Sequence, residues 1–314
     1  MSDPLDATLA IDIDEQLGLG SLADRYLLPP MRVLSRRDGR WISRRRQWDS
    51  TGIRSRAGRD AGLIFAATGG SAVTQMHHAY SDGTSTFDPV LAEILLRWFS
   101  APGDRILDPF AGGSVRGVVS GVLGRHYVGI DIRPDQVEAN REQARIAGEM
   151  EPAWIAGDAV HLDDCLDTAD GGFDMILTCP PYHDLERYSD DPCDLSTMTW
   201  GDFCSAQREA IRQAVSRLAS DRFVAWVTSD VRDPRTGEYR DLPGETVAAF
   251  RDAGCTLWNE LVIVDQIGTS ALRAERPFRA TRKVTRTHQI ALIFASGDGS
   301  RAGKRIDEST EVPA

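Results

Sequence analysis

Apolar and polar positions change rhythm near residue 86. From Tyr26 to about Ser85 little sustained periodicity is present, and Arg, Gly and Ser are frequent. Beyond it, Asp88 to Phe99 places Val90, Leu91, Ile94, Leu95 and Trp98 on one face at helical spacing. Short apolar runs then alternate with helical stretches. Strands are expected at Arg105–Asp108, Tyr127–Asp131, Trp154–Asp158, Phe173–Thr178 and Phe223–Thr228. Helices are expected at Val115–Leu123, from Pro134 to about Ala147, from Trp200 to about Ala219, and at Pro243–Ala253; proline suits a first helical turn. Leu257–Asp265 and His288–Ala295 read as a closing strand pair. This alternation predicts an α/β fold, a largely parallel, doubly wound sheet with a closing antiparallel strand. The domain reading is an acidic leader without fixed structure at 1–22 and a small, irregular or partly helical, basic appendage at 23–85. The main domain is expected at 86–298 and a disordered tail at 299–314.

Charge is uneven along the chain. The 314 residues carry a net charge of −11, which argues superficially against a nucleic-acid partner. Between Met31 and Asp60, however, ten Arg stand against three Asp, and Ser270–Ile290 holds five Arg and one Lys against one Glu. Local patches set attraction to phosphates. Arg44, Arg45 and Arg46, which are interleaved with Trp41 and Trp48, are therefore candidate nucleic-acid contacts, as are Arg279 and Arg282 beside Phe278. No apolar run approaches the roughly 20 residues needed to span a bilayer, and no basic-then-apolar leader suggests secretion. Five cysteines (165, 179, 193, 204 and 255) lack Cys-x-x-Cys spacing, and His77-His78 lacks further ligand spacing. A reduced cytoplasmic setting and no metal site are expected.

Ligands of open α/β sheets sit outside the carboxyl ends of the strands. Asp108-Pro109-Phe110 ends the first expected strand, and Gly112-Gly113 opens the following turn. Asp131-Ile132 ends the second, where a carboxylate can accept from two ribose hydroxyls. Asp158-Ala159 ends the third, within reach of an adenine amine. A nicotinamide-binding reading is weaker, because Ser114 takes the middle position of its glycine pattern and Asp108 would face a pyrophosphate.

These residues resemble the amino-methyltransferases of DNA. Asp108-Pro-Phe-Ala-Gly-Gly-Ser114 is similar to that family's first motif and Gly129-Ile-Asp131 to its second. Thr86-Phe87-Asp88-Pro-Val-Leu91 resembles the motif that contacts the methionine part of the cofactor. Thr178-Cys179-Pro180-Pro181-Tyr182 resembles the catalytic motif, and the resemblance covers about 86–298. It implies a Rossmann-like methyltransferase fold, S-adenosylmethionine as cofactor, and methylation of cytosine N4 or adenine N6 on a flipped base. The cofactor would be held by Phe87, Asp88, Asp108, Pro109, Phe110, Gly112, Gly113, Asp131, Ile132, Asp158 and Ala159. The Arg/Trp leader resembles segments of phage- or prophage-type methylases, which suggests a restriction–modification setting.

An exocyclic amine is a poor nucleophile, because its lone pair is delocalised into the ring. Acceptors for its N–H groups favour a pyramidal nitrogen, proline keeps competing donors away, and Tyr182 can stack on the flipped base. Cys179 departs from the family's Asp, Asn or Ser and is a weak acceptor, so a backbone carbonyl, His183 or Asp184 would assist. Attack by Cys179 on cytosine C6 fits poorly, since C5 methylation uses Pro-Cys rather than Cys-Pro. Too few residues remain for a separate recognition domain. Recognition would fall to the leader, to His183–Met198, to 265–287, or to a partner subunit or second copy. Alternatives are an RNA base, a protein glutamine, or a silent DNA-binding subunit; intact Asp108, Asp131 and Pro180-Pro181-Tyr182 argue against the last.

Overall fold

The computed structural model describes residues 25–58, 86–166, 172–185, 188–189, 191–265 and 270–310. The expected leader at 1–22, His77-His78 and the rest of 59–85, and residues 311–314 lie outside the described residues.

The eight strands are β1 (Val33–Ser35), β2 (Arg105–Asp108), β3 (His126–Asp131), β4 (Ala153–Ala156), β5 (Phe173–Thr178), β6 (Leu218–Thr228), β7 (Cys255–Val264) and β8 (His288–Ser296). They form one sheet in the order β1-β7-β8-β6-β5-β2-β3-β4. β8 runs antiparallel to both β6 and β7, and the other pairs are parallel. The expected doubly wound α/β sheet with its closing antiparallel strand is therefore present, in the arrangement of a Rossmann-like methyltransferase fold. The chain runs outward from β2 through β3 to β4, then returns to β5 on the other side of β2. The switch point thus lies between β2 and β5, where Ile106 pairs with Met175 and Leu107 with Ile176.

Side-chain alternation sends the strands' apolar residues into two cores. On one face Ile106, Met175, Leu177, Phe223 and Ala225 pack under α1 (Gly39–Ser50), α2 (Pro89–Phe99) and α3 (Val115–Val122). On the other Leu107, Ile176, Val224 and Trp226 pack with residues of α5 (Trp200–Ser216) and α6 (Leu242–Asp252). Between these two groups of helices in sequence, α4 (Pro134–Arg141) follows β3. Gly117 lets α3 lie close to the sheet, for a Cβ there would stand 2.5 Å from the Trp154 ring.

Three sequence expectations change. The segment after residue 25 is no appendage: β1 extends the sheet beside β7, and Trp41 and Trp48 of α1 are buried in the first core. They cannot stack on a base. α1 covers the outer side of α2, so α2 is buried almost all round, Glu93 included. Glu93 accepts from Trp48 Nε1 (2.7 Å), Arg44 Nε (2.7 Å) and Arg97 Nε (2.9 Å), and these donors hold its carboxyl below the usual range despite burial. Glu93→Ala is expected to cost about 3–5 kcal/mol, as removing one partner of a buried ion pair does; denaturant unfolding measures it.

Second, the tail after 299 is ordered through Thr310. α8 (Gly299–Thr310) sets Ala302 and Ile306 into the first core. The Asp298 carboxylate accepts from Ser300 N at 2.8 Å, and Arg305 donates twice to Asp104 at 2.7 Å. Third, a helix lies between the two closing strands, where no element is expected. This is α7 (Ser270–Thr281), on which Arg276, Phe278 and Arg279 are exposed.

Candidate functional site

The carboxyl ends of β2, β3, β4 and β5 open onto one cavity. Phe87, Asp88, Pro109, Phe110, Gly112 and Gly113 line it on the side of α2 and the turn after β2. Asp131, Ile132, Asp158 and Ala159 line it after β3 and β4, and Cys179, Pro180, Pro181 and Tyr182 after β5. Fourteen of the fifteen residues read as cofactor-binding or catalytic thus share one wall.

Asp108 is the exception. Being two residues beyond Ile106, its side chain turns to the first core and is wholly buried, away from the cavity. Its carboxylate accepts from Arg116 Nε (2.5 Å), Tyr127 Oη (2.7 Å), Thr178 Oγ1 (2.6 Å) and Phe110 N (3.2 Å). Thr178 immediately precedes Cys179, so one buried carboxylate ties the turn after β2 to the turn after β5. The role expected of Asp108, direct contact with a cofactor, is replaced by positioning.

Asp131 behaves as its place at the end of β3 suggests. Oδ2 accepts from Gly112 N at 2.8 Å and Oδ1 from Arg133 N at 3.0 Å. Gly112 adopts a positive φ of 51°, a conformation that favours glycine and turns its N–H toward the carboxylate. Burial pushes the Asp131 carboxyl up to about 6, against the pull of its two backbone donors. Asp158 gives one oxygen to Val160 N at 2.9 Å. Asp88 caps α2 through Val90 N (2.8 Å) and also accepts from Trp41 Nε1 at 3.3 Å.

At the catalytic motif the Cys179 thiol and the Tyr182 hydroxyl lie 3.1 Å apart, and burial raises the Tyr182 phenol well above its ordinary value. His183 does not reach the cavity. Its ring is buried edge-on to Trp200 and Phe203, with Nε2 3.0 Å from the Met198 carbonyl oxygen and Nδ1 2.6 Å from Arg240 Nη1. Nδ1 also lies 2.9 Å from Asp184 Oδ1. Asp184 is held by that ring and by Arg240 at 3.6 Å. Neither is placed to assist an amine.

Sequence reading missed the part of 188–195 that closes the cavity. Tyr188, Cys193, Asp194 and Leu195 line it, and buried Asp194 braces the turn by accepting from Ser189 Oγ and Ser196 Oγ. It also missed Arg36, Arg116, Arg133, Arg286 and Gln289 on the walls. Among the described residues no three metal-ligating side chains cluster, and no helix is long and apolar enough to cross a membrane.

The candidate nucleic-acid residues divide. Arg44 is held by Glu93, and Arg45 pairs with Asp49 (3.0 Å) and Asp88 (3.2 Å). Both fasten α1 to the body, which corrects their reading as phosphate contacts. Arg46 is exposed on the same helix. Arg279 is exposed and pairs with Glu275 at 2.8 Å, and Arg282 stacks over the Phe278 ring at 5.2 Å. None of the five lines the cavity.

Comparison with known proteins supports the family resemblance over part of the chain. Residues 34–142 match a family described as DNA methylase. A curated relative, tRNA (guanine(10)-N2)-dimethyltransferase of Methanothermobacter thermautotrophicus, is 39% identical over 80 residues, which are 26% of this chain and 22% of the relative. The chain thus spans about a fifth of that relative's length. Similar solved structures include TrmN from Thermus thermophilus, at 19% identity, a TM-score of 0.45, and coverage of 67% of this chain and 49% of that one. Another is a SAM-dependent methyltransferase from Methanosarcina mazei, at 14% identity, a TM-score of 0.42, and coverage of 63% and 95%.

Proposed function

We propose, for a chain that carries the DNA methylase family match over residues 34–142, that it methylates an exocyclic amine of a DNA base, cytosine N4 or adenine N6, with S-adenosylmethionine as donor. The observation that carries this reading is one cavity joining the Asp131 carboxylate to Cys179-Pro180-Pro181-Tyr182.

The donor set fits the cofactor. Asp131 presents an oriented carboxylate to a ribose diol. Asp158 has an oxygen left for an adenine amine, and Phe110, Ile132 and Ala159 supply apolar contact to a planar ring. S-adenosylmethionine, when bound, supplies a methyl group on a positively charged sulfur.

The chain's own residues do the rest. Pro180 and Pro181 have no N–H, so the carbonyls of Cys179 and Pro180 accept from the target amine without a competing donor and favour a pyramidal nitrogen. The Cys179 thiol acts through Tyr182, whose hydroxyl it meets, and Tyr182 stacks on the flipped base. The segment 191–195 shields the reacting atoms from water. Proximity and oriented dipoles supply the rate enhancement. Arg46, Arg279 and Arg282, exposed outside the cavity, contact phosphates.

A second reading, methylation of an RNA guanine amine, is favoured by the tRNA-modifying relative's similarity over 80 residues. Transfer of a tritiated methyl group to duplex DNA, single-stranded DNA, tRNA and protein separates the two. DNA is expected to take the label, label on tRNA alone would move the reading to RNA, and label on protein alone would end both. In the same assay Tyr182→Ala is expected to lower turnover about 10- to 100-fold, the worth of one base–aromatic stack. Cofactor affinity should stay within about twofold, since the proposed nucleoside contacts lie elsewhere.

A further inference from the structure

Among the described residues, Arg116, on the first turn of α3, is the one cation of the cavity wall that is almost wholly buried, with 5% of its side chain exposed. Its Nε donates to Asp108 Oδ2 at 2.5 Å, and its Nη2 donates to the carbonyl oxygens of Phe110 (2.6 Å) and Ala111 (2.9 Å). The Phe87 ring lies 4.6 Å from the guanidinium carbon and fixes its plane. The third nitrogen, Nη1, meets no acceptor among the described residues, and the side chain borders the cavity. A guanidinium edge that borders the cavity without a protein acceptor can donate to an acceptor that a ligand supplies.

The neighbours define which part of the ligand arrives there. Asp131 marks the ribose and Asp158 the base, while the transferred methyl must face Cys179–Tyr182. The remaining, amino-acid end of the cofactor then lies toward Phe87 and Arg116, and its single anionic group is a carboxylate. Of the other wall arginines, two are committed elsewhere. Arg133 is held by Asp135 and the Gly58 carbonyl oxygen, and Arg286 by the Asp230 carbonyl oxygen. Arg36 sits between Asp265 at 2.7 Å and Asp88 at 3.6 Å, with its buried Nε making no hydrogen bond among the described residues, which makes it the rival that the test must separate.

We infer that Arg116 is the carboxylate receptor of the site, donating through Nη1 to the amino-acid carboxylate of the cofactor while Asp108 and two backbone carbonyls hold it in place. This rests on the proposed function, because it presumes S-adenosylmethionine as the ligand.

Calorimetric titration of the full chain with S-adenosylhomocysteine and with its decarboxylated analogue tests it. The analogue keeps the adenosine, sulfur and ammonium and lacks only the carboxylate. Wild type is expected to prefer S-adenosylhomocysteine by about 10- to 100-fold, the worth of a hydrogen bond to a charged group. Arg116→Gln should lose that preference while binding the analogue as wild type does, and Arg36→Gln should keep it. Arg116→Lys, which retains a cation beside Asp108, should keep only part of it and serves if the glutamine variant does not fold. Equal affinities in wild type, full preference in Arg116→Gln or Arg116→Lys, or loss of preference in Arg36→Gln would each overturn the assignment. Failure of wild type to bind either ligand would instead overturn the cofactor reading beneath it.

Discussion

Asp131→Ala is expected to weaken cofactor binding by about 100- to 10,000-fold, the largest effect on affinity of any single change in the cavity. Two hydrogen bonds from ribose hydroxyls to a carboxylate contribute about 1.5–3 kcal/mol each, and each 1.4 kcal/mol is tenfold. The substitution also frees the N–H groups of Gly112 and Arg133, which Asp131 now holds at 2.8 and 3.0 Å. Titration with S-adenosylhomocysteine measures the loss, and a change under about fivefold would remove Asp131 from the ribose contact. The same carboxyl gives the binding a pH dependence, because burial raises it to about 6. Only the ionised form accepts two hydroxyls, so affinity is expected to fall as pH drops through 6, approaching about tenfold per unit below it. Stability responds in the opposite sense. The folded state holds this proton more tightly than the unfolded chain does, so this residue's contribution to stability grows as pH falls from about 6 toward 4.

Asp108→Ala is expected to cost about 3–5 kcal/mol of stability, because it strands the buried Arg116 guanidinium together with the Tyr127 and Thr178 hydroxyls. Denaturant unfolding reads the loss as a lower midpoint. Asp108→Asn keeps an acceptor oxygen but not the counter-charge, and should fall between wild type and alanine. In the asparagine variant cofactor affinity should change far less than in Asp131→Ala, since Asp108 does not border the cavity. An affinity loss equal to that of Asp131→Ala would return Asp108 to the cofactor contacts.

These two aspartates show how far sequence reasoning reaches. Both end strands at the carboxyl edge of the sheet, and that much is visible in the apolar runs before them. Their side-chain directions are not, because the turn after each strand decides which face the last residue presents. Asp108 follows the alternation of Ile106 into the core, whereas Asp131 is drawn to the Gly112 turn. Arg116 was equally hidden: in a chain with so many arginines, nothing in its spacing separates a buried guanidinium from a solvated one.

Two other differences did leave a trace. Trp41 and Trp48 stand seven apart, on one face of a helix, a pattern of burial that the surrounding arginines masked. Ala302 and Ile306 stand four apart within the last helix, too sparse a stripe to outweigh its polar neighbours. The motif after β5 was legible as chemistry, but the burial of His183 depends on Trp200, Phe203 and Arg240, which are distant in sequence.

The central claim is that the cavity places a methyl group on an exocyclic amine of a DNA base. Incubation of wild type with DNA and methyl-labelled S-adenosylmethionine, followed by digestion and mass spectrometry of the nucleosides, addresses it most directly. The expected label is on N4-methylcytosine or N6-methyladenine, and it should be strongly reduced with Tyr182→Ala. Label on C5-methylcytosine, or unlabelled DNA beside a labelled guanine amine in tRNA, would contradict the claim.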